Sequence, residues 1–173
     1  MIGVKIMLVL DAVNDFILQY TDVVQDKLFR GYQNRSALPQ TQDYTLFYMD
    51  STNRVGTNVD HVGDLKTTVH ALREYIVTID FCGDNQEVIE DRATNLAVLG
   101  RSFFAVNFFK TYGITFDYAD EVQYLPFTDD TEQYVHRYRL ALHLSRWDAV
   151  EVNTQSAIVA DVYIENVDAH HKP

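Results

Sequence analysis

Residues 74–109 set the terms on which the rest of this chain can fold. The first part alternates, with Tyr75, Val77, Ile79 and Phe81 on one face and Glu74, Thr78 and Asp80 on the other. Alternation of β-branched and aromatic residues with period two predicts a half-buried strand. Cys82-Gly83 breaks it, and Asp84-Asn85-Gln86-Glu87 reads as a helix start, Asp84 the N-cap and Glu87 reaching back to it. Ile89, Ala93, Leu96, Ala97, Gly100, Phe103, Phe104 and Phe108 then recur at helical spacing. That repeat predicts one helix of roughly six or seven turns with a single wide apolar stripe. The stripe needs a sheet face to lie on, and the preceding strand offers one. The pair is scaffold and carries no evident chemistry.

The remaining elements are read against that pair. Ile2, Ile6, Val9, Val13, Phe16, Ile17 and Tyr20 predict an amphipathic helix over residues 3–20, although residues 4–10 alone fit a strand equally well. Residues 26–30 read as a short strand ended by Gly31, and residues 31–42 as a polar loop with Pro39. Residues 43–50 are apolar on both faces and predict a central strand, and residues 51–64, rich in Asn, Gly and Asp, a long connection. Residues 66–81 then form one long strand, bent or bulged near Ala71, where the alternation weakens. Beyond the long helix, residues 113–118 predict a short strand and residues 120–131 an acidic loop around Pro126.

The clearest β signal comes last. Tyr134, His136, Tyr138, Leu140, Leu142 and Leu144 share one face, and Arg137, Arg139, His143 and Ser145 the other. A tight turn near Asp148 and a second alternating strand from Val150 to Ile164 would complete an antiparallel hairpin. The expected architecture is α+β, a mostly antiparallel sheet with two helices packed on one face. No repeat or linker divides the chain, so residues 1–167 are expected to form a single domain, with residues 168–173 a polar tail.

Composition narrows the function more than the fold. With 173 residues and 47% apolar content the chain can bury a core. The net charge of −11 argues against a surface that grips nucleic acid through its phosphates. Eleven Tyr and ten Phe stand against one Trp. That bias suits either amphipathic contact surfaces or a β-rich core. A single Cys forms no internal disulfide, and residues 6–10 are too short an apolar run to span a bilayer. No small-residue cleavage site follows that run, so a cytosolic chain is expected.

Catalytic and metal motifs are not found. His136 and His143 lie seven residues apart on one strand, on opposite faces, and so share no metal. His170-His171 falls in the tail, and His61 follows Asp60 with no nucleophile indicated. Cys82 has no electropositive neighbours in sequence and reads as a packed, inert thiol. No phosphate loop, dinucleotide fingerprint or nucleophile elbow occurs. Arg137 and Arg139 form a basic stripe, explained either by cross-strand pairing with Glu151, Asp161 or Glu165 or by a subunit contact.

Four features in order carry a resemblance. The first helix leads to Gly31-Tyr32-Gln33-Asn34-Arg35 with Pro39 after it, then comes Thr57-Asn58-Val59-Asp60. Ile79-Asp80-Phe81-Cys82-Gly83 runs into the long helix, and Tyr138-Arg139-Leu140-Ala141-Leu142 closes the set. Together they resemble the neck or tail terminator proteins of tailed bacteriophages, in the contractile-tailed branch. Cys82 departs from the pattern, which has an aromatic there, and nothing after Val159 is matched. The resemblance implies a non-enzymatic virion protein without cofactor or metal and with no membrane role, assembled in the host cytoplasm. It implies a homo-oligomeric ring of six copies at the neck, capping the head-proximal end of the tail tube. The partners implied are the tail tube protein, the tail sheath protein and the head connector, with DNA passing through the lumen unbound. Asn34, Arg35, Asn58 and Asp60 then become loop anchors or contacts, although Asn34, Asn58 and Asp60 could equally satisfy their own turns. Rival readings are another neck, connector or tail-completion protein, and a binding module or small enzyme built around Asp60, His61 and Arg139. A concave site with converging polar groups would mark the last of these.

Overall fold

In the computed structural model, residues 2–31, 43–63, 66–128 and 134–153 are described, with side chains from residue 8 onward. Among them, three helices pack on a seven-stranded, mostly antiparallel sheet, an α+β fold. The strands are β1 (Leu28–Arg30), β2 (Asp43–Val62), β3 (Lys66–Gly83), β4 (Thr115–Ala119), β5 (Gln123–Tyr124), β6 (Phe127–Thr128) and β7 (Tyr134–Asn153). Their order is β1-β2-β3-β7-β4, with β5 and β6 also pairing on β7. Only β1 on β2 is parallel.

Helix α1 (Ile2–Tyr20) settles the ambiguity over residues 4–10 in favour of helix. Val9, Val13, Phe16 and Ile17 are fully buried at the spacing the sequence shows. Their partners are the expected inner face of β3, Tyr75, Val77, Ile79 and Phe81, and Tyr138, Leu140, Leu142 and Leu144 of β7. On the other face of the sheet a smaller cluster joins Tyr44, Cys82 and Val135 to Phe29, Leu46 and Phe127.

The expected single long helix is two. Helix α2 (Gln86–Leu99) ends at Gly100, and α3 (Phe103–Lys110) begins after Ser102. A Cβ on Gly100 would stand 2.7 Å from the Cβ of Ala119, so the chain there runs against β4. Ser102 caps α3 by accepting from the Phe104 N–H, and its hydroxyl donates to the Leu99 carbonyl at 2.6 Å. The break rotates the second half of the stripe. Ala105 and Phe109, outside the expected stripe, are buried, whereas Phe103 and Phe104 are 71% and 58% exposed. At the other end Asn85, not Asp84, is the N-cap, accepting from the Val88 N–H.

Two expected interruptions of the sheet are absent. Residues 51–62, read as a connection, continue β2, and β7 passes straight through Asp148 to Asn153. Register explains both. Trp147, Asp148 and Ala149 pair with Leu72, Ala71 and His70, which leaves no place for a turn. The polar stretch of β2 is absorbed by register shifts, the larger between Val55 and Val59. This bulge, containing Gly56 at φ 73°, lies across from Ala71, so the irregularity expected there belongs to the neighbouring strand. The expected second strand of the hairpin, past Asn153, lies outside the described residues. Residues 120–131, expected as a loop, contribute the two-residue strands β5 and β6 along β7.

Burial divides the sheet along its length. From Tyr75 to Gly83 nearly every residue of β3 is buried, whereas no described residue of 53–63, 66–74 or 145–153 is. Those segments form a three-stranded arm that continues the sheet past its helical layer. At ~3.3 Å per residue, the 18 residues of β3 span roughly 60 Å from the tip of the arm to the start of α2.

Candidate interaction surfaces

The groups with chemical potential are dispersed or quenched. No set of three metal-ligating side chains converges among the described residues. Burial pushes the Cys82 thiol up to about 12, and the residue is packed as expected. The phenol of Tyr124 hydrogen-bonds His136 Nδ1 at 2.8 Å. His143 is buried between Asp120 at 3.3 Å and Glu74 at 3.6 Å, with its ring stacked on Tyr118. The enzyme reading needs Asp60, His61 and Arg139 together. Asp60 pairs with Val69 and Arg139 with Asp80, eleven residues apart along β3, or about 36 Å. They do not converge.

Of the residues expected at contacts, Asn34 and Arg35 lie outside the described residues. The described residues on either side of them are firmly held. The Gly31 N–H donates to the Phe47 carbonyl at 2.9 Å, and a Cβ on Gly31 would press on the Tyr48 ring at 3.2 Å. On the other side, Arg92 of α2 donates twice to Asp22, at 2.6 and 3.0 Å, and once to Asp43, at 2.6 Å. Lys27 adds a 3.0 Å bond to Asp43. The Arg92 hydrogen bond holds the Asp22 carboxyl below its ordinary value against some burial. Burial works harder against Asp43, yet Arg92 and Lys27 together still hold it below.

Asn58 and Asp60 lie on the arm, both exposed, Asn58 inside the bulge of β2. Arg137 and Arg139 are engaged within the subunit. Arg139 forms a two-pronged bond to Asp80 at 2.7 and 2.8 Å, and Asp80 is its cross-strand neighbour on β3. Arg137 donates to the Leu125 carbonyl at 3.0 Å and lies over the Phe127 ring. For Arg139 the cross-strand explanation holds in kind, with Asp80 as a carboxylate partner; Glu151 is bonded to Lys66 instead, and Asp161 and Glu165 lie outside the described residues.

Three features escaped the sequence reading. The exposed Phe103 and Phe104, their ring centroids 6.0 Å apart, make an apolar knob on α3, beside β4, and Val98 and Val106 are exposed as well. Arg54, Arg73 and Arg146 stand directly across from one another on β2, β3 and β7, three like charges in one row. Arg73 pairs with Asp148 at 3.2 Å, while the Arg146 Nη1 is buried without a hydrogen-bond partner. At the opposite end of the sheet, Asp84, Glu87 and Glu90, with Asn85, Gln86 and His136, line an open hollow of about 690 Å³. The apolar knob was readable as Phe-Phe in the sequence, but only the helix break exposes it. The arginine row depends on strand register and left no local signal.

In comparison with known protein families, the model of a family described as "Phage neck terminator protein" matches residues 7–170. The match runs past Val159, where the resemblance read from the sequence stopped. No curated protein matches the chain.

Proposed function

The chain belongs to the phage neck terminator family, and from that premise we propose that it closes into a ring capping the head-proximal end of the tail tube. Membership makes it a structural protein of the virion neck that works among other tail and head proteins. The proposal goes further: six copies of a single-domain subunit, in a contractile tail, meet the tail tube, the last sheath layer and the head connector. The family match over residues 7–170 carries this reading.

The fold supports it in two ways. A heterologous ring needs two different surfaces on each subunit. This subunit has an apolar knob beside β4 on one margin and, on the other, the outer edge of β2 with exposed Val55, Val59 and Val62. Loops and arms on a rigid sheet are also where contacts with unlike partners are built. Asn34 and Arg35, between two firmly held flanks, and Asn58 and Asp60, on the arm, are assigned to such contacts. Arg137 and Arg139 would support them from within. A lumen wall drawn from a chain of charge −11 would let DNA pass without holding it.

Light scattering on the purified protein, with negative-stain images of the same fraction, tests the reading. Six subunits of 20.0 kDa give a particle of about 120 kDa with a central hole, or a cap of that form once tail tubes are added. A stable dimer that ignores the tubes would overturn it.

A further inference from the structure

The row of Arg54, Arg73 and Arg146 is a local conflict. Like charges directly opposite on neighbouring strands destabilise a sheet, and here three follow one another across a chain of net charge −11. Such conflicts between local choice and fold are expected where a surface has another use. Tyr75 and Leu144 pair in the core, so their neighbours two residues along, Arg73 and Arg146, face the helical side of the sheet where the helical layer stops. Asp148 answers Arg73, but the Nη1 of Arg146 is buried with no acceptor, and Arg54 is exposed. The row therefore has fewer carboxylates than guanidiniums, and the Oδ1 of Asp148 is likewise buried without a hydrogen-bond partner.

The same chain carries acceptors in concave form. Asp84, Glu87 and Glu90 line the hollow at the start of α2. The row cannot use its own hollow. Eleven residues separate Arg73 from Asp84, ten of them along the extended strand β3, about 33 Å and far beyond the reach of an arginine side chain. A second copy presents the carboxylates that the row cannot reach on its own hollow.

We propose that the arginine row of one subunit docks on the carboxylate-lined hollow of a second copy, joining the base of one arm to the opposite end of its neighbour. This rests on the ring reading and supplies its contact. The two surfaces are different and lie at opposite ends of β3, so the contact is heterologous and propagates from copy to copy. Guanidinium groups suit it because they form paired, planar hydrogen bonds to carboxylates. Nucleic acid phosphate is the other anion that could fill the row, and the overall charge of −11 disfavours it.

The test uses two full-length variants, R54E/R146E and D84K/E87K, with Arg73 left in its pair with Asp148. Each is checked for folding by circular dichroism and for assembly by light scattering, with and without tail tubes. Each variant alone places like charges at every contact and is expected to assemble at least tenfold more weakly than the parent chain. Mixed in equal amounts, the two restore opposite charges at both contacts, and assembly returns. Folded variants that assemble alone like the parent, or a mixture that fails to recover, would overturn the proposal. So would parent-level assembly by R54E/R146E together with loss of duplex DNA retention, which would assign the row to phosphate. A parent chain that stays monomeric even on tubes sinks the ring reading itself. A parent that caps tubes beside variants that cap them equally sinks only the docking.

Discussion

Arg92 ties α2 to the segment after α1 and to the first residue of β2 through a side chain only 11% exposed. Removing it takes one partner from the partly buried Asp43, which keeps Lys27, while Asp22, 66% exposed, is rescued by water. R92A is therefore expected to cost about 1–3 kcal/mol in a denaturant titration, below the cost of breaking a fully buried pair. The same ion pairs set a pH dependence. Asp22 and Asp43 titrate below the ordinary 3.8 in the folded chain, so their contribution is complete above that value. It is lost as the pH falls through the depressed folded values. The parent chain should lose stability more steeply than R92A on acidification below about pH 4, and parallel unfolding curves would contradict the assignment. Arg139 makes a similar point about reading single residues. Its position on the polar face of a strand was plain from the sequence, but its engagement with Asp80 depends on a strand paired from 59 residues away.

At the level of elements, the sequence revealed what apolar periodicity controls. Helix α1, the inner faces of β3 and β7 and the packing of helices on one side follow from residues that must leave water together. What failed was punctuation. Asn53, Gly56 and Asn58 signal a connection where both faces would otherwise be buried, yet in an arm open on both faces they are simply solvated. Asp148 looked like a turn because it sits between two alternating apolar runs, and its ion pair with Arg73 is invisible without the register. The helix break failed for the reverse reason, since Phe103 and Phe104 keep the apolar spacing while the backbone turns. The close approach of Gly100 to Ala119 fixes that break, and it can be tested. G100A is expected to lose about 1–3 kcal/mol by overpacking, and G100A/A119G to recover at least half, measured by thermal unfolding. Equal stability of G100A and the parent would show that the contact is slack.

For the molecule as a whole, body and arm should be separable. Val55 and Leu72 are direct partners, so replacing residues 56–71 by Asn-Gly closes β2 to β3 with a two-residue turn. The segment removed buries no described side chain. The shortened chain is expected to keep its stability within about 1 kcal/mol, and a large loss would mean that the arm supports the core. The register of β3 on β7, unbroken from Lys66↔Asn153 to Gly83↔His136, has a mechanical consequence. Tension applied along the strands would load the whole ladder in shear, so that its bonds resist together. A pull on the tip across the sheet would peel the same bonds open in succession. A neck built from such subunits would be stiff along one direction and yielding along another, and the orientation of the strands relative to the tail axis would decide which of the two the ejecting genome meets.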